Sequence, residues 1–117
     1  MTECIHTLFS AWGDPSSDGR ASKTDAAIGS GFYYADPNTP DPLRNRDAYL
    51  AYITQFGDMM PGAEAKVVAT SKTHDHIRAT VDFMKDGAPM MRGQYFADVK
   101  GGKIIRLIGF AGMGEPD

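Results

Sequence analysis

Residues 88–112 read APMMRGQYFADVKGGKIIRLIGFAG, and the fold turns on this stretch. Two mostly apolar runs, Met90 to Val99 and Ile104 to Gly112, flank Lys100-Gly101-Gly102-Lys103. A glycine pair supplies the positive-φ residues that a tight reversal needs, so the segment predicts a β-hairpin. In its first strand Arg92, Gln94, Phe96 and Asp98 share one face, while Met91, Tyr95, Ala97 and Val99 share the other. Polar groups in that register mark either a solvent face or the lining of a pocket.

Upstream the same logic continues. From His76 to Met84, Ile77, Ala79, Val81 and Phe83 alternate with Arg78, Thr80, Asp82 and Met84, and Lys85-Asp86-Gly87 turns the chain into the hairpin. Ala63 to Thr73 reads as a further strand, with a reversal at His74-Asp75. Before these strands the period changes. Ile5, Leu8, Phe9 and Trp12 recur every three or four residues, which predicts a helix over 3–12. A weaker helix is expected over 21–28 and a short strand over 32–35. Pro37, Pro40 and Pro42 then make a stiff loop. Asn45 can cap the best helix, 47–59, which carries Tyr49, Leu50, Ile53 and Phe56 on one stripe and ends at Pro61-Gly62. Helices gathered before four tightly connected strands imply an α+β domain with one face of an antiparallel sheet covered by helices.

The chain has 117 residues, enough for one domain over 1–117 and too few for two. Its net charge of −3 and lack of any basic run leave nothing to attract a phosphate backbone, so no nucleic-acid partner is expected. No stretch of 18 apolar residues exists to span a membrane. Glu3 stands where a signal peptide would carry positive charge, a pattern expected of a cytoplasmic protein. Cys4 is the sole cysteine, which leaves no internal disulfide and no cysteine metal cluster. Gly29-Ser30-Gly31 precedes no helix, and residues 109–114 lack Walker spacing, so no nucleotide cofactor is implied.

Several pieces together resemble the SnoaL-like branch of the nuclear transport factor 2-like, or cystatin-like, superfamily. They are Trp12 near the end of the first helix, Tyr34-Ala35-Asp36-Pro37 closing the first strand, and Leu43-Arg44-Asn45-Arg46-Asp47-Ala48 opening the third helix. Phe56 with Pro61-Gly62, His74-Asp75 followed by Arg78, Gly93-Gln94-Tyr95-Phe96, Gly102-Lys103-Ile104 and Gly109-Phe110-Ala111-Gly112 complete the series. The resemblance implies a cone: a strongly curved antiparallel sheet around three N-terminal helices, with an apolar cavity at the wide end and a homodimer joined through sheet faces. It also implies that Met91, Tyr95 and Val99 lie outward and that Arg92, Gln94 and Phe96 look inward.

The resemblance suggests Asp36 as a general base, as in members like ketosteroid isomerase; the bland reading is a turn cap before Pro37. Those isomerases hold the developing oxyanion with a Tyr and a protonated Asp, where this chain has Leu8 and Gln94. Gln94 can donate to an oxygen but cannot share a proton, a departure that argues against both the isomerase and the polyketide-cyclase mechanisms. His74 matches a recurrent histidine and titrates near neutrality, or it is simply a strand residue. His76 lies two residues on, but two histidines make a poor metal site, so none is expected. Arg78, Asp82 and Arg92 have the residue types of the water-activating set in proteins like limonene epoxide hydrolase, or they form a plain salt bridge. Trp12, Tyr34, Phe56, Phe96 and Phe110 are the expected ligand lining.

The functional expectation follows. The cavity binds a small, largely apolar carbonyl or hydroxyl compound and transforms it by proton transfer without a cofactor. Asp36 and His74 would meet the ligand, and Gln94 or Arg92 would hold its oxygen. The alternative is a non-catalytic dimeric domain that binds a ligand or a protein partner.

Overall fold

The computed structural model describes residues 2–113. In chain order the elements are α1 (Glu3–Ser10), α2 (Ser17–Ala27), β1 (Ile28–Ala35), α3 (Arg46–Met59), β2 (Glu64–Thr73), β3 (His76–Lys85), β4 (Ala88–Lys100) and β5 (Lys103–Ala111). Type and order match the sequence reading; the largest boundary shifts are at α2 and β1. α2 starts four residues earlier than its apolar content suggests, because Ser16 caps it by accepting from the Gly19 N–H at 3.1 Å. It then runs straight into β1, so Gly29 and Gly31 lie inside the strand rather than in a loop. Asn45 caps α3 as expected, accepting from the Ala48 N–H at 2.8 Å.

The five strands form one sheet in the order β1-β5-β4-β3-β2. β2 to β5 are an antiparallel meander. β1 adds to β5 in parallel, which a period-two pattern does not disclose. Asp86 and Gly87 (φ 54° and 77°) and Gly101 and Gly102 (φ 58° and 78°) close two of the hairpins with the paired positive φ of a tight two-residue turn. Register shifts at Val67/Ala69, Phe83/Met84 and Asp98/Val99 mark bulges that bend the strands. The result is a curved sheet with three helices on one face.

Cross-strand register decides which face is buried. Ile77, Ala79 and Val81 of β3 stand opposite Ala97, Tyr95 and Gly93 of β4, so the apolar sets coincide and turn towards the helices. Tyr95, Ala97 and Val99 are buried there with Ile5, Leu8 and Phe9 of α1 and Tyr49 and Ile53 of α3. The expected facing of Tyr95, Val99, Gln94 and Phe96 is therefore reversed. Gln94 and Phe96 lie on the outer face, opposite Thr80 and Arg78, and Phe96 is 47 % exposed. No helix among the described residues is long and apolar enough to cross a membrane.

Candidate functional site

The Tyr34-Ala35-Asp36 end of β1 builds the site. Strand alternation puts Tyr34 and Asp36 on the same side, and the Pro37–Pro42 loop holds the carboxylate in place. Asp36 Oδ1 accepts the backbone N–H groups of Asn38 (2.8 Å) and Thr39 (3.1 Å). Its Oδ2 accepts the hydroxyls of Tyr34 (2.5 Å) and Tyr52 (2.7 Å), and Tyr52 also reaches Oδ1 at 2.9 Å. Asp36 is thus a turn cap and the centre of a phenol cluster at once. Four donors converge on it.

The phenols are held in their neutral form. Burial raises the pKa of Tyr34 well above the ordinary value, and the charges around it, Asp36 among them, add to the effect. Burial and then the bond to Asp36 push Tyr52 up, while the Asn38 side-chain amide beside its oxygen works the other way. Burial also raises Tyr95, and the adjoining Tyr34 hydroxyl pulls it part of the way back. The Tyr95 ring lies over Gly109 of β5, where a Cβ would come within 2.5 Å of its Cε2. Only glycine leaves room for the ring in that position.

A pocket of about 150 Å³ opens beside this cluster. Asp36, Asn38 and Tyr52 form its polar end; Trp12, Phe56, Phe83 and Phe110 are among its apolar walls. Trp12 anchors the walls. Its Nε1–H donates to the Tyr49 hydroxyl at 2.8 Å, and its ring sits 5.2 Å from Phe56, 5.7 Å from Phe83 and 5.9 Å from Tyr52, steeply inclined to each. Depressions elsewhere, of about 470 to 760 Å³, are larger but more open grooves.

Of the residues singled out from sequence, Asp36, Trp12, Phe56, Phe110 and Arg92 border this pocket, and Tyr34 lies fully buried behind it. Arg92 is engaged elsewhere: its Nε and Nη2 donate to Asp82 at 2.5 and 3.0 Å in a bidentate ion pair. Gln94 is turned to the outer face, accepting from Thr80 Oγ1 at 2.8 Å and donating to the Gly112 carbonyl at 3.3 Å. Phe96 is on that face too, edge-on to Phe110 with ring centroids 5.7 Å apart. His74 occupies the exposed β2–β3 turn at φ 51°. His76, beside it, and Phe83, at the pocket, are seven residues apart on β3, roughly 23 Å at the usual rise per residue. Asp36, His74 and Gln94 therefore do not converge. His76 instead bonds Asp98 at 2.7 Å, near Arg106.

Tyr52, Tyr95 and Asn38 are the polar pocket groups that the sequence reading did not assign. For Tyr52 a signal existed: it stands three residues after Tyr49 and four before Phe56, on the inward stripe of α3. Among the described residues no group of three or more His, Cys, Asp or Glu is placed to hold a metal ion.

No protein-family model and no curated protein matches the chain. Solved structures match it closely in shape. A candidate isomerase of the SnoaL-like family from Agrobacterium tumefaciens strain C58 superposes with a TM-score of 0.85 at 18 % identity, over 95 % of this chain and 96 % of that one. A candidate SnoaL-like polyketide cyclase from Jannaschia sp. CCS1 gives 0.75 at 15 % identity, over 93 % and 83 %. A de novo designed protein with a curved β-sheet gives 0.69 at 11 % identity, over 94 % and 83 %. The chain shares the curved-sheet α+β fold of these structures. At these identities the likeness is one of fold, and a fold by itself specifies no reaction.

Proposed function

We propose that this chain binds a small, largely apolar carbonyl or hydroxyl compound in the Asp36 pocket and transforms it by proton transfer, as an isomerase, dehydratase or cyclase without a cofactor. One observation carries the reading: a carboxylate lies at the polar end of an aromatic-walled pocket. A bound ligand that displaces the Tyr52 hydroxyl from Oδ2 would place its own proton on that oxygen. Of the two ligand types, the geometry favours the hydroxyl compound. Gln94, Arg92 and His74, the groups expected to stabilise a carbonyl oxygen or shuttle protons, are occupied or distant.

The test is turnover of a panel of small hydroxyl and carbonyl compounds in D₂O, followed by NMR for elimination or deuterium incorporation. Asp36→Asn is expected to lower turnover by about 10²-fold or more, the usual contribution of a positioned base. Turnover unchanged in that variant would overturn the reading.

A second observation favours self-association. Phe96 and Phe110, 47 % and 55 % exposed, form one aromatic patch on the outer sheet face, and we propose that this patch joins two copies of the chain. Light scattering is expected to give a dimer mass that Phe96→Glu with Phe110→Glu reduces to the monomer. A monomeric unsubstituted protein would refute it.

A further inference from the structure

We infer that the Asp36 pocket selects a small alkylammonium ion over neutral compounds of the same shape. The inference rests on this pocket being the ligand site, and is independent of the reaction run there.

Count first the donors around the pocket. The protons of Tyr34 and Tyr52 are committed to Asp36. The Asn38 backbone N–H serves Asp36. Trp12 donates to Tyr49, and Arg92 directs two donors at Asp82. Arg92 keeps three further N–H groups at the rim, so it is at Asp36 itself that a ligand meets acceptors: the carboxylate edge and the phenol lone pairs. A ligand group that only accepts, such as a ketone oxygen, finds oxygens facing it. A ligand with N–H or O–H finds partners.

Charge separates those two. Four donors and no acceptor surround the Asp36 carboxyl group, and all four are neutral. The cation at the rim, Arg92, is already matched by Asp82. The polar end therefore presents a half-buried carboxylate with no cation bonded to it, set against aromatic walls. The walls are suited to a cation. Trp12, Tyr52, Phe56 and Phe83 all line the pocket, and the electron-rich faces of such rings attract alkylated ammonium groups. Size agrees as well: a pocket of about 150 Å³ matches a cavity that accepts benzene, so it suits a ligand of roughly four to seven heavy atoms. A hydroxyl compound whose short skeleton ends in an alkylammonium group satisfies both this inference and the proposed function.

Trp12, the sole tryptophan, lines the pocket and reports its occupancy by fluorescence. The protein is titrated with trimethylammonium and dimethylammonium chloride at neutral pH, and with tert-butanol and acetone as neutral compounds of similar size, at constant ionic strength. The expected result is ammonium binding at least 10-fold tighter than either neutral probe, and at least 10-fold weaker in Asp36→Asn. In case that variant folds poorly, Tyr52→Phe provides an independent test. It keeps the carboxylate and removes a competing donor, so ammonium affinity is expected to hold or rise. Equal or tighter binding of tert-butanol or acetone, or weaker ammonium binding in Tyr52→Phe, would overturn the inference while leaving the pocket as the ligand site. Silence of Trp12 to all four probes would overturn both.

Discussion

Replacing Asp36 with Asn alters one functional group and tests the centre of the site. Asparagine keeps one oxygen, which can still accept from the Asn38 and Thr39 N–H groups. Its amide nitrogen then faces the hydroxyls of Tyr34 and Tyr52, which have lost their acceptor. Turning two charge-assisted bonds into neutral ones loses about 1 kcal/mol each. Stranding the proton of the fully buried Tyr34 hydroxyl adds about 1–2 kcal/mol, whereas half-buried Tyr52 can turn to water. The total is about 3–4 kcal/mol. At about 2.1 cal/mol/K of unfolding entropy per residue, 117 residues lose about 4 °C of Tm per kcal/mol, so the variant should melt about 12–16 °C lower. Calorimetry at pH 7 is the assay. An unchanged or raised Tm would refute the reasoning, because it would mean that the carboxylate sits in the pocket at a cost to folding, as catalytic groups often do.

Gly109→Ala places a methyl group 2.5 Å from the Tyr95 ring, and overpacking of that kind costs about 1–3 kcal/mol; an unshifted melting curve would show that the ring yields freely. Thr24 is fully buried and its hydroxyl has no hydrogen-bond partner, so Thr24→Val should raise stability by about 1 kcal/mol, and a loss in urea titration would count against the assignment. Bonds from Lys23, Arg46 and Arg92 hold the carboxyls of Asp14, Asp25 and Asp82 below their usual range. A folded pKa below the unfolded one gives stability that is present above about pH 4 and lost as pH falls through the folded values. Urea midpoints should therefore be flat from about pH 5 to 7 and fall below about pH 4, with a smaller acid loss in Asp82→Asn; parallel acid limbs for the two proteins would refute the assignment to Asp82.

Local patterns in the chain determined most of the architecture. Apolar spacing of three and four marked α1 and α3, alternation marked β3 and β4, and paired glycines or Asp-Gly set the reversals, because each of these depends on near neighbours only. Asp36 was legible as a candidate through the family resemblance that Tyr34-Ala35-Asp36-Pro37 helps to carry, whereas its local setting before Pro37 indicated only a turn cap. Tertiary structure decided the rest. Alternation defines two faces of β4 but not which is buried, and the register that sets Tyr95 against Ala79 and Gly109 turned Tyr95 inward and Gln94 outward. His74 and Asp36 carry the right chemistry, but the length of β3 keeps them apart. Tyr52 meets Asp36 only because α3 packs across the end of β1, a contact between segments 16 residues apart that no local pattern encodes.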